Sequence, residues 1–171
     1  MKVTFGQISD GNTHYSIKDT GWFPVEVVSL CQLHHAEVDL FAEADDTVIL
    51  QGEMQVSVKF LCDRCGNPFD YSLSVDFHYH FKTGEDVSRQ LQEMECGEDD
   101  FDVVYLDEPV IDLGEILREQ VLLAVPIRKI CEEGCKGLCP GCGAVLAHEA
   151  CRCPPGRPDS PFAVLEKLKN N

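Results

Sequence analysis

No run of about 18 apolar residues occurs anywhere in the 171-residue chain, so no segment reads as a helix able to cross a bilayer. The first twenty residues (MKVTFGQISDGNTHYSIKDT) lack the apolar stretch of a secretory signal, and the expected location is therefore cytoplasmic. Basic side chains are scarce: 14 Lys and Arg face 30 Asp and Glu, a formal charge of −16. A nucleic-acid binder ordinarily advertises itself by a basic domain, so the field of the whole molecule does not draw RNA or DNA to it. The motifs of common enzymes are missing too. There is no G-x-S-x-G, no P-loop, no dinucleotide glycine pattern and no H-E-x-x-H, and nothing in the chain asks for catalysis.

What is present suffices for one ordinary domain: 44% of the residues are hydrophobic and 26% charged, enough to bury a normal core. Ten cysteines are the unusual feature. In a reducing cytoplasm clustered thiols read as metal ligands or redox groups rather than as a disulfide framework. Charge and cysteine both segregate. Residues 1–125 carry 7 basic and 25 acidic side chains, whereas residues 126–171 carry 7 basic and 5 acidic. Six cysteines (Cys131, Cys135, Cys139, Cys142, Cys151 and Cys153) fall in the second part, and Pro126 marks the join. The expected organisation is an acidic body over 1–125 followed by a cysteine-rich module over 126–171.

The body reads as antiparallel β. Residues 25–30 and 33–43 are candidate strands, with Asp45-Asp46 as a turn. From Thr47 the side chains alternate cleanly, Met54, Val56, Val58 and Phe60 against Gln55, Ser57 and Lys59. A second alternating run places Tyr71, Leu73, Val75, Phe77, Tyr79 and Phe81 opposite Ser72, Ser74, Asp76, His78 and His80. Gly66-Asn67-Pro68 supplies the turn between them, so the two runs form a hairpin. Residues 83–112 are crowded with carboxylates and hold Arg89 as their one basic residue, the composition of an exposed acidic loop. A helix follows over 112–125: Asp112 is placed to cap it, Leu113, Ile116, Leu117, Gln120, Val121 and Ala124 make its inward stripe, and Pro126 ends it. A last short helix is expected from Ser160-Pro161, with Phe162, Leu165 and Leu168 on its apolar face. The fold class is thus α+β: an antiparallel β body, as a hairpin or barrel-like sheet with one packed helix, and a small zinc-binding tail module ending in a short helix. No internal repeat stands out.

Within the tail, CPGCG (residues 139–143) is the strongest signal, two thiolates on a tight glycine-permitted turn that can converge on one tetrahedral ion. The second pair comes from Cys131 and Cys135 or from Cys151 and Cys153, with His148 a further candidate. Four of these six cysteines around structural Zn2+ would stabilise a segment too poor in large apolar side chains to fold alone, by roughly 10–16 kcal/mol. Cys62 and Cys65 form another C-x2-C that suits either a metal knuckle, one that could borrow tail cysteines, or a turn with small buried thiols. His78 and His80 share a polar strand face and read as solvated, while Cys31 and Cys96 stand alone. The competing reading of Cys139 and Cys142 is a thiol-disulfide oxidoreductase pair, disfavoured by Gly143 and by the four further cysteines around it.

Four segments in order, CDRCGNPF, DLGEILREQVLLAVP, CKGLCPGCGAVL and SPFAVLEKLK, make the chain similar to the YceD family over about residues 24–169. These are the large ribosomal RNA subunit accumulation proteins. The resemblance implies a bacterial cytoplasmic, non-enzymatic ribosome biogenesis factor that supports accumulation of large-subunit (23S) ribosomal RNA. Its tail cysteines vary within the family, so zinc is argued from this chain's own residues. Two partners fit. The acidic body, especially 85–112, could hold a basic ribosomal protein, or Arg128, Lys129, Lys136, Arg152 and Arg157 could touch pre-ribosomal RNA. Charge favours the protein. A zinc-ribbon regulator of DNA is disfavoured on the same ground, and neither a membrane nor a small-molecule substrate is expected.

Overall fold

The computed structural model describes residues 1–8, 11–44, 46–84 and 103–153. Two compact units make up the chain, one of residues 1–60 and 70–127, the other of residues 61–69 and 128–171.

The first unit is built on a five-stranded sheet with a two-stranded ribbon and one helix. In chain order the strands are β1 (Lys2–Thr4), β2 (Asn12–Ser16), β3 (Ser29–Ala44), β4 (Thr47–Leu61), β5 (Pro68–Thr83), β6 (Val103–Leu106) and β7 (Val110–Asp112), followed by α1 (Leu113–Ala124). The large sheet runs β2-β3-β4-β5-β6, and β1 pairs with β7. β4 and β5 are the two alternating runs: Val48, Leu50, Met54, Val56 and Val58 are almost wholly buried, as are Leu73, Phe77 and Phe81, with polar neighbours facing outward. β3 adds Ala36, Val38 and Leu40 to the same face. Its register with β4 slips between Leu30 and Gln32, between Leu33 and His35 and between Ala42 and Ala44. Each slip is a bulge that bends a strand too long to stay straight. At Gly52 the absent side chain is a requirement, because a Cβ there would stand 2.3 Å from the Phe77 ring.

Antiparallel pairing holds for β2–β3 and β3–β4, but the edge strand β6 runs parallel to β5, from His80↔Val103 to Thr83↔Leu106. The sheet is therefore mixed. This also corrects the expected acidic loop over 83–112: Val103–Leu106 and Val110–Asp112 are strands. Short runs of apolar and β-branched residues (VVYL, VI) were hidden there by the carboxylates around them, and residues 85–102 lie outside the described residues. Residues 25–28 are likewise not strand. The amides of Val27 and Val28 both donate to the Pro24 carbonyl at 3.0 Å, a turn that leaves Val25 and Val27 exposed before β3 begins at Ser29.

Helix α1 begins where the sequence places it. The Asp112 side chain accepts from the amides of Gly114 and Glu115, and Leu113, Ile116, Leu117, Gln120 and Val121 are buried. Burial opposes charge on Asp112, but bonds from the terminal ammonium and those two amides outweigh it and hold the carboxyl below its usual range. Gln120, the one buried polar residue of the helix, donates to the Tyr79 hydroxyl at 2.5 Å, so its amide is not left unsatisfied in the core. The expected helix from Ser160 lies outside the described residues.

Candidate metal centres

The second unit contains eight of the ten cysteines, and their sulfurs gather in two groups of four. Cys62, Cys65, Cys131 and Cys135 form one; Cys139, Cys142, Cys151 and Cys153 form the other. In each, every sulfur lies within 4.8 Å of every other.

Two local turns of one design start the groups. In the first, the Gly66 amide donates to the Cys62 carbonyl at 2.8 Å and the Cys62 amide donates to the Asn67 carbonyl at 2.9 Å. In the second, the Gly143 amide donates to the Cys139 carbonyl at 2.8 Å and the Cys139 amide to the Ala144 carbonyl at 2.8 Å. Gly66 and Gly143 have φ of +74° and +73°, the left-handed conformation that closes each turn and that a side chain would resist. The first turn joins β4 to β5. The second is flanked by a bridge between Leu138 and Val145, a hairpin in miniature. The motif C-x2-C-G therefore occurs twice, at 62–66 and 139–143, which is the short repeat that a scan for longer periodicity passes over.

A chain segment from elsewhere completes each group. Opposite the first turn, the Asp63 amide donates to the Lys129 carbonyl and the Lys129 amide returns a bond to the Asp63 carboxylate, both at 2.7 Å. Arg64 donates to the carbonyls of Cys135 (3.0 Å) and Glu133 (3.4 Å). These bonds brace residues 128–135 against the turn and deliver Cys131 and Cys135. Phe69, Ile130 and Val145 pack around Cys62, Cys65 and Cys135, which are only 3–4% exposed. The second group is completed by Cys151 and Cys153 and is more open: Cys139 is buried, Cys153 half-buried, Cys142 and Cys151 exposed. Gly141 is needed here, since a Cβ would sit 2.8 Å from the Cys153 sulfur.

The spacings suit an ion. Four sulfurs at about 2.3 Å from a tetrahedral centre stand about 3.8 Å from one another. The first group has Cys62–Cys135 at 3.8 Å and Cys65–Cys131 at 3.9 Å. In the second, Cys139–Cys153 and Cys142–Cys151 are both 3.8 Å and Cys139–Cys151 is 3.2 Å. A disulfide needs sulfurs about 2.05 Å apart, and the described cysteines are all free thiols.

Ionisation is uneven within each group. The Cys131 amide, which reaches the Cys62 sulfur at 3.5 Å, brings that thiol down to about 6. Cys139 also falls to about 6, through the amides of Cys142 and Gly141. Cys131 is pushed up to about 12 by desolvation and by the other three sulfurs, and Cys153 to about 12 by the sulfurs of Cys142, Cys151 and Cys139. One thiolate forms readily and further ones repel it. A divalent cation at the centre is the charge that lets all four ionise together.

Every tail cysteine named from the sequence thus falls into a group, with Cys131 and Cys135 separated from the other four and joined to the hairpin's Cys62 and Cys65. His148 is exposed and belongs to neither group. His78 and His80 meet edge to face at 4.6 Å on the outer side of β5, and no set of three metal donors includes them among the described residues. Arg128, Lys136 and Arg152 are exposed, Lys129 is half-buried against the first turn, and Arg157 lies outside the described residues. No described helix is long and apolar enough to cross a membrane.

A model of the YceD family, described as large ribosomal RNA subunit accumulation protein, matches residues 50–169 and so takes in both cysteine turns and α1. An uncharacterized protein of Mycobacterium tuberculosis is 25% identical over 138 residues, 80% of this chain and 63% of that protein; the chain therefore spans less than two thirds of the length of its mycobacterial relatives. The Haemophilus influenzae large ribosomal RNA subunit accumulation protein YceD is 25% identical over 149 residues, covering 84% of this chain and 78% of its own. A chloroplastic YceD homologue of Arabidopsis thaliana is 36% identical over 59 residues, 34% of this chain and 18% of that protein. No solved structure matches. With well over half its length matched by the family model, and with the hairpin turn, the helix and the cysteine tail all inside that match, the chain belongs to the YceD family.

Proposed function

We propose that this chain is a non-enzymatic, cytoplasmic ribosome biogenesis factor that supports accumulation of large-subunit ribosomal RNA by holding a basic ribosomal protein, its second unit kept in shape by structural Zn2+. Family membership supports the ribosomal role, and charge carries the choice of partner. Each site filled by a divalent ion and four thiolates adds two negative charges, so two filled sites take the chain from −16 to −20. The second unit then changes from +2 to −2 and loses the slight excess of positive charge that RNA contact would use. On the first unit, Glu37 stands directly across from Glu53 in the β3–β4 register, and both line a groove with Asp39, Asp76 and His78. Like charges set opposite one another destabilise a strand pair, and Lys or Arg from a partner relieves that cost. All-cysteine tetrahedral sites favour zinc and leave no open position for a substrate, which agrees with a structural role.

Pull-downs without crosslinking from cell lysates, at low and at high salt, test the partner. Basic ribosomal proteins are expected to enrich at low salt and to be lost near 1 M, where the screening length falls to about 3 Å. Enrichment of ribosomal RNA without a basic protein, or enrichment indifferent to salt, overturns the protein-holding reading.

A further inference from the structure

The two cysteine groups differ in a way that a purely structural pair of sites does not require. In the Cys62 group three cysteines are buried and only Cys131 is exposed, and Asp63 and Arg64 brace the segments that carry them. In the Cys139 group both Cys142 and Cys151 are exposed, their sulfurs 3.8 Å apart, and Cys142 lines an open groove with Gly143, Glu149 and Arg152. An exposed metal-bound thiolate is open to a peroxide, but a disulfide forms only when a second sulfur can reach the oxidised one. In the Cys62 group the one exposed cysteine, Cys131, also has a neighbour, Cys65 at 3.9 Å, but that neighbour is buried. The two segments carrying the pair are fastened to each other by the Asp63 and Arg64 bonds, which resist the approach to about 2.05 Å that a disulfide needs. The Cys139 group offers an exposed target and an exposed partner side by side.

We propose that the Cys139 group is an oxidation site at which a hydroperoxide links Cys142 to Cys151 and expels the ion, while the Cys62 group keeps its own. The inference rests on the metal reading above and extends it to regulation. The Cys142 thiolate attacks the peroxide O–O bond and, with one proton taken up, gives a sulfenic acid and one water when the oxidant is hydrogen peroxide. The Cys151 thiolate then displaces hydroxide from that sulfur, the S–S bond forms, and the hydroxide takes a second proton to leave as water. Two electrons pass from the two sulfurs to one peroxide. The ion loses two of its four anionic donors and departs, leaving Cys139 and Cys153 as free cysteines. Closure draws the two sulfurs from 3.8 Å to about 2.05 Å.

The test uses the full chain carrying Cys31→Ser and Cys96→Ser, which removes the two cysteines outside the groups. Native mass spectrometry first counts zinc, and fewer than two ions before oxidant overturns the metal reading itself. With two ions present, hydrogen peroxide is added and ion loss is followed with peptide mapping. Loss of one ion, a Cys142–Cys151 linked peptide and return of the ion after thiol reductant and zinc support the proposal. Loss of both ions together, loss of neither, or a disulfide between any other pair overturns it. Cys151→Ser in the same background serves as a second readout: peroxide should leave Cys142 as sulfenic or sulfinic acid with no linked peptide, and a persisting disulfide at Cys142 would contradict the assigned partner.

Discussion

Removing the ion from the Cys62 group is the most searching perturbation the structure suggests. A Cys65→Ser substitution takes away one of four donors from a site whose sulfurs are spaced at 3.8–3.9 Å around a common centre. The apolar packing there is slight, three small thiols with Phe69, Ile130 and Val145. A structural zinc contributes on the order of 10–16 kcal/mol of apparent binding energy, comparable with the roughly 5–15 kcal/mol that stabilises a whole domain. Loss of the ion should therefore melt the second unit around that site rather than loosen it. Hydrogen exchange reads this out locally. The amides of Cys62 and Gly66, whose bonds of 2.9 and 2.8 Å close the turn, should exchange slowly in the zinc-loaded protein and fast in the variant or after chelation. Amides in the buried strands β4 and β5, such as those of Val56 and Leu73, should keep their protection, and one ion should remain in the Cys139 group. Unchanged protection of Cys62 and Gly66 after the metal is gone would refute the reasoning, because the turn would then be shown to hold without a charge at its centre.

Gly141→Ala should weaken the Cys139 site selectively, since the new Cβ meets the Cys153 sulfur at 2.8 Å; competitive zinc titration should show lower affinity at one site of two. Gly52→Ala places a methyl 2.3 Å from the Phe77 ring and should cost about 1–3 kcal/mol in denaturant unfolding, with partial recovery in the double variant that also carries Phe77→Leu. Asp112→Ala should cost about 1 kcal/mol through the lost helix cap. Because the Asp112 carboxyl is held below its ordinary 3.8 in the folded protein, its contribution is complete above that value and fades as pH falls through the folded pKa, so wild type and variant should converge in stability in acid. Zinc retention should fall with pH as well: four thiolates are needed and Cys131 and Cys153 bind protons up to about 12, so acidification from neutral favours protons over metal, measurable by chelator competition across pH.

Much of the first unit was legible because its signals are local. Alternation over 48–60 and 71–81 is dictated by one buried and one wet face, and the helix announced itself by a cap, a stripe and Pro126 within fifteen residues. Composition misled where it was averaged: the carboxylates of 83–112 masked strands at 103–106 and 110–112, and the valines of 25–28 looked like strand although Pro24 turns the chain there. The cysteine partnership was legible only as a set of alternatives: Cys151 and Cys153 were one of two possible pairs for Cys139 and Cys142, and the hairpin pair was open to completion from the tail. By itself the sequence determined that thiols occur in C-x2-C-G turns able to present two sulfurs each, because that geometry depends on two local backbone hydrogen bonds and a glycine at positive φ. Which distant pair completes each turn was decided only in three dimensions. Cys62 meets Cys135 across 73 residues because the β4–β5 hairpin delivers its turn to residues 128–135, where Asp63 and Arg64 fasten it, and no spacing along the chain encodes that meeting.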